Sequence, residues 1–154
     1  MKDDEIQRIM TIYGTSLYRL CRMMLGREMD AEDAVAETII RYIQKAPEFR
    51  DSEQEKAWLF KVAANLCRDM LRKRKRLVSL EDTELSDLVL ETQDREILEA
   101  LDKLPEQYRT VIYLTYVEGY KSHEIAAMLR ISAPTVRKRL QKGRRLLKLE
   151  YEKE

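Results

Sequence analysis

The sequence predicts an all-α fold of two small helical domains, and three observations lead to that prediction. Apolar residues recur at three- and four-residue spacing through most of the chain, which is the helical period. Only 4 Gly and 3 Pro occur in 154 residues, too few for a turn-rich β architecture. Hydrophobic residues make up 44% of the chain and charged residues 37%, which suits compact cores beneath a very polar surface.

Charge is segregated along the chain, although the net charge is only +1. Residues 28–37 and 81–99 are acidic, whereas residues 68–76 and the last third of the chain are basic. This alternation predicts several different binding surfaces instead of one uniform nucleic-acid-binding face.

Several absences narrow the class of protein. One His, no phosphate-binding Gly-rich loop and no metal-ligand cluster argue against an enzyme, a metal site or a cofactor. No apolar run approaches membrane-spanning length, and the first residues, MKDDEIQR, lack the core of a signal peptide. Cys21 and Cys67 lie beside apolar residues in helical patterns, which predicts buried free thiols of a cytoplasmic protein.

A long first helix is predicted by the apolar stripe that runs from Ile6 to Met24, and Gly26 ends it. Asp30 is the predicted cap of a second helix, whose buried face runs from Ala31 to Ile43. Acids in a first turn complement the helix dipole, so local structure alone explains Glu32 and Asp33. Glu37 lies beyond that turn and is therefore the better candidate for a contact with a partner.

The third predicted helix begins with a capping box of Ser52 and Glu55 and runs out into a basic segment at 72–76. Aromatic, basic and amide side chains around it suit single-stranded nucleic acid, whose bases stack and whose phosphates need cations. This candidate surface consists of Phe49, Lys61, Asn65 and Arg68. For Trp58 a place in the core is the stronger interpretation.

Residues 77–92 are acidic and poor in periodicity, which predicts a linker between a domain at 1–76 and a second domain at 93–154. Helical spacing resumes from Gln93, and Pro105 is suited to the first turn of the next helix. That helix is expected to end near Gly119.

The stretch 121–148 predicts a helix-turn-helix, whose second helix can lie in a DNA major groove. The helical pattern breaks at 130–132, Ser132 is placed to cap the second helix, and Pro134 is tolerated in its first turn. The second helix carries seven basic residues, and no acidic residue lies between them: Arg137, Lys138, Arg139, Lys142, Arg144, Arg145 and Lys148. A solvated basic helix without a ligand is the alternative, but the upstream helix and the tight turn favour DNA.

Three ordered motifs resemble those of the extracytoplasmic-function (ECF) group of bacterial sigma-70 factors. They are AEDAVAETI at 31–39, WLFKVAANLCRDMLRKRKR at 58–76, and LPEQYRTVIYLTYVEGYKSHEIAAMLRISAPTVRKRLQKGRRLL at 104–147. The resemblance implies a dissociable initiation subunit of RNA polymerase. Region 2 would bind the clamp of the largest subunit and open the −10 element, and region 4 would bind the flap of the second-largest subunit and read the −35 element. It also implies a monomer when free and an anti-sigma factor as a partner, beside core polymerase and promoter DNA.

The resemblance further implies a role for each matching residue. The polymerase-clamp helix is matched by Asp33, Glu37 and Ile40. The loop and helix that hold an unstacked −10 base are matched by Phe49 and Asn65. The basic end that grips phosphates is matched by Arg72, Lys73, Arg74 and Lys75. The −35 recognition helix is matched by Thr135, Arg137, Lys138, Arg139, Gln141 and Lys142, to which Arg144 and Arg145 of the same basic face are added.

One departure from the family concerns the first helix of the helix-turn-helix. The family usually has Ser as the cap before EIA, and this chain has Lys121. A missing cap costs about 0.5–2 kcal/mol unless Ser122 takes over with a shifted helix start.

Two other classes of protein remain open from the residues. A stand-alone repressor with a dimerising N-terminal bundle would explain the C-terminal half, and an adaptor would bind polymerase without reading DNA. A dimerisation bundle has no need for Phe49 and Asn65 near a basic helix end.

Overall fold

Seven helical segments make up the part of the chain that the structure describes. The structure is a computed structural model, and it describes residues 2–77 and 99–152. The segments are α1 Lys2–Leu25, α2 Glu28–Lys45, α3 Ser52–Leu77, α4 at 99–102, α5 Glu106–Ile112, α6 Ser122–Leu129 and α7 Ala133–Glu152. A π-helical turn, Tyr113–Val117, continues α5. The described residues contain no strand, so the all-α prediction is confirmed, while the predicted linker beyond Leu77 lies outside them.

The first three helices pack around one core. Ile9, Leu17 and Leu20 of α1 are fully buried, as are Leu59 and Phe60 of α3. Each such side chain contributes about 1.5–3 kcal/mol on burial, and together these residues explain why three amphipathic helices form one unit. None of the described helices is both long enough and apolar enough to span a membrane.

The later helices pack closely because α7 carries a glycine at its crossing with α5. A Cβ on Gly143 would lie 2.7 Å from Cδ1 of Ile112, a distance that real contacts do not reach. Val136 and Leu140 of α7 are buried in the same core. The tight turn before α7 places Arg130 in the left-handed region at φ 56°.

The end of α1 agrees with the sequence prediction, whereas the start of α2 does not. α1 ends at Leu25 and Gly26 follows at φ 79°, as predicted. The predicted cap at Asp30 is wrong, because α2 already begins at Glu28 with Arg27 at its cap position. Asp30 instead accepts a hydrogen bond from Arg74 of α3.

The cap of α3 also differs from the prediction. At the start of α3, Asp51 Oδ1 accepts a hydrogen bond from the backbone N–H of Gln54 at 2.8 Å. In return, the side-chain oxygen Oε1 of Gln54 accepts one from the backbone N–H of Arg50 at 2.7 Å. The predicted capping box of Ser52 and Glu55 is therefore wrong, because Asp51 and Gln54 form the capping box of α3.

At α6 the amide of Lys121 donates to Glu124 Oε1 at 2.9 Å, so a carboxylate supplies half a capping box without Ser122. For α7 the predicted cap is confirmed: Ser132 Oγ accepts from the Thr135 amide at 3.1 Å.

The prediction of buried free thiols is also confirmed. Cys21 of α1 and Cys67 of α3 are both fully buried, and neither forms a disulfide. A hydrogen bond with Cys21 and burial both raise the pKa of the Cys67 thiol.

Candidate nucleic-acid interface

The predicted −35 residues lie on α7, and most of them face solvent. Arg137, Lys138, Gln141, Lys142, Arg144 and Arg145 are exposed. Thr135 and Arg139 are half-buried: Thr135 Oγ1 is hydrogen-bonded with Ser132 Oγ at 2.7 Å, and Arg139 lines a cavity between helices. The second helix of the helix-turn-helix therefore presents six exposed members of the predicted set, and five of them are basic.

Two tyrosines orient cations on this face. Lys142 Nζ lies 5.4 Å from the ring centroid of Tyr108, and Arg144 lies over the ring of Tyr116 while donating to its hydroxyl. Cation–π contacts of this kind hold a long side chain in place at about 0.5–1 kcal/mol each at exposed sites. The sequence did not predict either contact, because Tyr108 of α5 and Tyr116 of the π-helical turn meet α7 only in the folded chain.

Phe49 is half-buried in a cluster of three rings. Its ring stacks on Tyr42 with centroids 6.2 Å apart and meets Trp58 edge-on at 6.0 Å. Trp58 packs against the core, in agreement with the place in the core that the sequence predicted for it. An open groove of about 530 Å³ lies beside Phe49, and Arg8, Glu48 and several other polar side chains line it. The loop before α3 therefore has room for a planar ligand at an aromatic edge.

A carboxylate at the start of α3 joins this loop to α1 and α2. Glu55 accepts two hydrogen bonds from Arg8, at 2.7 and 3.1 Å, one from Tyr13 at 2.8 Å and one from Tyr42 at 2.6 Å. The Tyr13 hydroxyl oxygen also lies 3.2 Å from the backbone carbonyl oxygen of Ser52. The hydrogen bonds from Arg8 lower the pKa of Glu55 to about 2, whereas burial raises the pKa of both tyrosines to about 12. These contacts, which we call the Glu55 network, differ from the capping role that the sequence predicted for Glu55.

Some of the predicted −10 residues along α3 are exposed, and others are hydrogen-bonded to other helices or buried. The exposed residues are Lys61, Arg72, Lys73 and Lys75. Arg68 donates to the Leu129 carbonyl at 3.2 Å, and Arg74 donates to the Leu25 carbonyl at 2.7 Å and to Asp30. Asn65 lies about two helical turns beyond Trp58 on the same side of α3. Its Oδ1 is buried and has no hydrogen-bond partner in the described part of the chain.

One of the predicted polymerase-binding residues, Ile40, lines an apolar groove between α1 and α2. Asp33, Glu37 and Ile40 are exposed on α2, and Ile40 retains 45% of its surface. The groove measures about 810 Å³, and Ile40 and Met10 are among its lining residues. Met10 is 43% exposed, although the apolar stripe of α1 had placed it in the core. The acids that line the groove are Glu28 and Glu32. An exposed apolar groove with these acids is suited to a helical partner that carries apolar and basic side chains.

No group of metal-ligating side chains gathers at these surfaces: residues 2–77 and 99–152 hold no cluster of three or more His, Cys, Asp or Glu placed to bind a metal ion.

Comparisons with known proteins agree on one family. The family description "Sigma-70 region 2" matches residues 9–77, and "Sigma-70, region 4" matches residues 94–147. The chain is 30% identical to RNA polymerase sigma factor SigV of Bacillus subtilis, over 94% of this chain and 89% of the relative. It is 32% identical to ECF RNA polymerase sigma factor SigW of the same organism, over 94% and 88%. The fold is similar to that of the sigma factor RpoE from Bartonella quintana in complex with the anti-sigma factor NepR, with a TM-score of 0.70, 23% identity, and coverage of 99% and 98%.

Proposed function

The chain belongs to the ECF group of sigma-70 factors, and from that premise we propose how its residues direct RNA polymerase to promoters. It is an RNA polymerase sigma factor that acts in transcription initiation. We assign region 2 to residues 1–76, the linker to 77–92 and region 4 to 93–154. The protein is non-catalytic itself and works in the cytoplasm with core polymerase, promoter DNA and an anti-sigma factor.

Region 4 reads the −35 element through α7, and this is the assignment that the structure supports most strongly. The observation that carries it is the exposed basic face of a helix that follows a tight turn and a capping Ser132. Residues near the start of such a helix reach base edges, so Arg137 reads sequence. Arg144 and Arg145 lie farther along and contact phosphates, which adds affinity without sequence preference.

Region 2 holds the opened −10 strand along α3. Lys61, Arg72, Lys73 and Lys75 are exposed and follow the phosphate backbone, as cations do in other single-strand channels. Phe49 offers an aromatic edge beside an open groove, so it supports a base that has left the stack. Stacking of a base on an aromatic ring contributes about 1–3 kcal/mol.

Region 2 also binds the clamp of the largest polymerase subunit through the groove between α1 and α2. Ile40 and Met10 supply apolar contact in the groove. Asp33 and Glu37, which are exposed on α2 outside the groove lining, attract basic side chains of the partner. The acids act mainly on the rate and register of docking, whereas burial of the apolar residues supplies affinity.

Size-exclusion chromatography with bacterial core polymerase tests the proposed function, and a pair of matched variants tests the groove. The full chain is expected to elute as a monomer alone and to co-elute with core. Ile40→Asp is expected to weaken co-elution at least tenfold, because it places a charge in the apolar contact. Ile12→Asp is the matched control, since Ile12 is 55% exposed on α1 and does not line the groove. A dimer that ignores core would overturn the proposal in favour of a repressor.

A further inference from the structure

A small cavity lies where the two groups of helices, α1–α3 and α5–α7, pack against each other. Its volume is about 180 Å³, and residues of α1, α3, α5, α6 and α7 line it. A single buried water needs only about 10–15 Å³, whereas pockets for drug-sized ligands measure about 300–1,000 Å³. The cavity therefore has room for a small ion or a small metabolite.

The polar side chains at this cavity offer mainly hydrogen-bond donors. Arg68 of α3 and Arg139 of α7 contribute guanidinium groups, and Gln107 and Thr110 of α5 contribute an amide and a hydroxyl. Guanidinium groups only donate, while the amide and the hydroxyl donate as well as accept. The other walls are apolar and consist of Met24, Ala64, Leu71, Leu129 and Ile131. A ligand that accepts several hydrogen bonds matches this lining.

Two of the donors are buried without a partner. Thr110 is 2% exposed, and its Oγ1 has no hydrogen-bond partner among the described residues. The Nε of Arg68 is likewise buried and unpartnered in the described part of the chain, although Nη1 of the same side chain donates to the Leu129 carbonyl at 3.2 Å. Buried polar groups without hydrogen bonds are unfavourable, so an acceptor placed between Arg68 and Thr110 would stabilise both.

Positive charge exceeds negative charge around the cavity. Two of the lining residues carry a guanidinium, and one, Glu106, carries a carboxyl group. Burial raises the pKa of Glu106, so its charged form is less favourable than that of an exposed carboxylate. Burial and the charges of Arg130 and Arg72 lower the pKa of Arg68. A negative charge in the cavity would offset the repulsion among these cations.

We infer that this cavity binds a small oxyanion, either free phosphate or the phosphoryl group of a small metabolite, between Arg68, Thr110 and Arg139. Phosphate oxygens accept several hydrogen bonds at once and pair with guanidinium groups, which suits two arginines beside a hydroxyl. Backbone phosphates of nucleic acid share this chemistry. A cavity of about 180 Å³ among five helices has no room for the neighbouring nucleotides, so a free anion fits better.

Methyl NMR of the full-length protein locates the anion directly. Sodium phosphate is added at neutral pH and compared with sodium chloride of the same ionic strength. The methyl signals of Met24, Leu129 and Ile131 are expected to shift until they saturate, because these side chains line the cavity. Ile9 is fully buried about 22 Å from Met24 along α1, and its signal is expected to stay in place.

Thr110→Val and Thr115→Val form a matched pair of variants. The hydroxyl oxygens of both threonines are buried without a partner within the described residues, but Thr115 does not line the cavity. Thr110→Val removes a donor to the anion and is expected to weaken phosphate binding roughly tenfold, whereas Thr115→Val is expected to stay within about twofold. Arg139→Met removes a guanidinium and is expected to weaken phosphate binding at least about tenfold.

Thermal unfolding gives a second readout. A ligand that binds the folded state raises the melting temperature, and phosphate also stabilises proteins because it is excluded from their surface. Both threonine variants share the general effect, so the smaller rise expected for Thr110→Val reports the site. Without phosphate, Thr110→Val is expected to be at least as stable as wild type, because the hydroxyl that it removes has no partner among the described residues.

The inference is wrong if phosphate shifts the lining methyl groups no more than chloride does, or if it shifts them equally in Thr110→Val and wild type. It is also wrong if a short single-stranded oligonucleotide shifts them at lower concentration than phosphate does, because the phosphoryl group then belongs to nucleic acid. If Thr110→Val does not fold, Arg139→Met supplies the same comparison. Neither polymerase nor a promoter enters these measurements, so failure of the proposed function leaves their result unchanged.

Discussion

The Glu55 network predicts a pH-dependent contribution to stability that a single substitution removes. In the folded protein the pKa of Glu55 is lowered from 4.5 to about 2, chiefly by the hydrogen bonds from Arg8. A shift of about 2.5 units corresponds to roughly 3 kcal/mol. Since Arg8 keeps 44% of its surface and is screened by solvent, we expect about 2 kcal/mol in practice.

The sign follows from the direction of the shift. A lowered pKa in the folded state stabilises the protein above the unfolded pKa of 4.5, and this contribution disappears as the pH falls from 4.5 toward 2. Glu55→Gln should therefore lower the free energy of unfolding by about 2 kcal/mol at pH 7. The difference from wild type should fall to less than half of that at pH 3.

Urea unfolding followed by circular dichroism at pH 7, 4 and 3 measures both quantities. Glu53→Gln is the matched control: it removes the same charge from an exposed position in the first turn of α3 and should change stability by less than about 0.5 kcal/mol. A Glu55→Gln effect that is equal at pH 7 and pH 3 would show that the ion pair does not hold the three helices together.

Three further predictions concern the DNA-facing residues and the packing of α7. Phe49→Ala should leave binding of holoenzyme to duplex promoter intact but reduce permanganate reactivity of the −10 region. A template with a pre-melted bubble should restore that reactivity, because its bases are already unpaired. If the bubble does not restore it while the circular dichroism spectrum is unchanged, Phe49 has a structural role only. Arg137→Ala should relax sequence preference at the −35 element and weaken binding by about 1–3 kcal/mol, whereas Arg144→Ala should weaken all sequences alike; identical preference profiles for wild type and Arg137→Ala would contradict base reading. Gly143→Ala should destabilise the fold by about 1–3 kcal/mol in thermal unfolding, because its Cβ has no room against α5; an unchanged melting temperature would mean that α5 moves aside.

The helical spans were predictable because they depend on local periodicity. The stripe of α1 and the stop at Gly26 both appear in the structure, and so does the helix-turn-helix with its Ser132 cap. Cap assignments failed where several polar residues stand together. At the start of α3 local spacing suited Ser52 as well as Asp51, and only the fold shows that the carboxylate of Glu55 is held by α1 and α2.

The packing between the two groups of helices was not predictable from the sequence. Periodicity identifies the apolar face of a helix but not the helix that covers it. The basic and amide residues of α3 predicted an accessible nucleic-acid surface, yet Arg68 contacts α6 and Arg74 caps the end of α1. These contacts join residues far apart in the chain, so no local pattern records them.

Run-off transcription with bacterial core polymerase, followed by mapping of start sites, tests the central claim most directly. Specific transcripts are expected only when the protein is present, with a shared −10 and −35 pattern upstream of each start and with loss of those transcripts for the Ile40→Asp variant. Transcripts that are the same with and without the protein, under conditions where it remains folded, would contradict its role as an initiation factor.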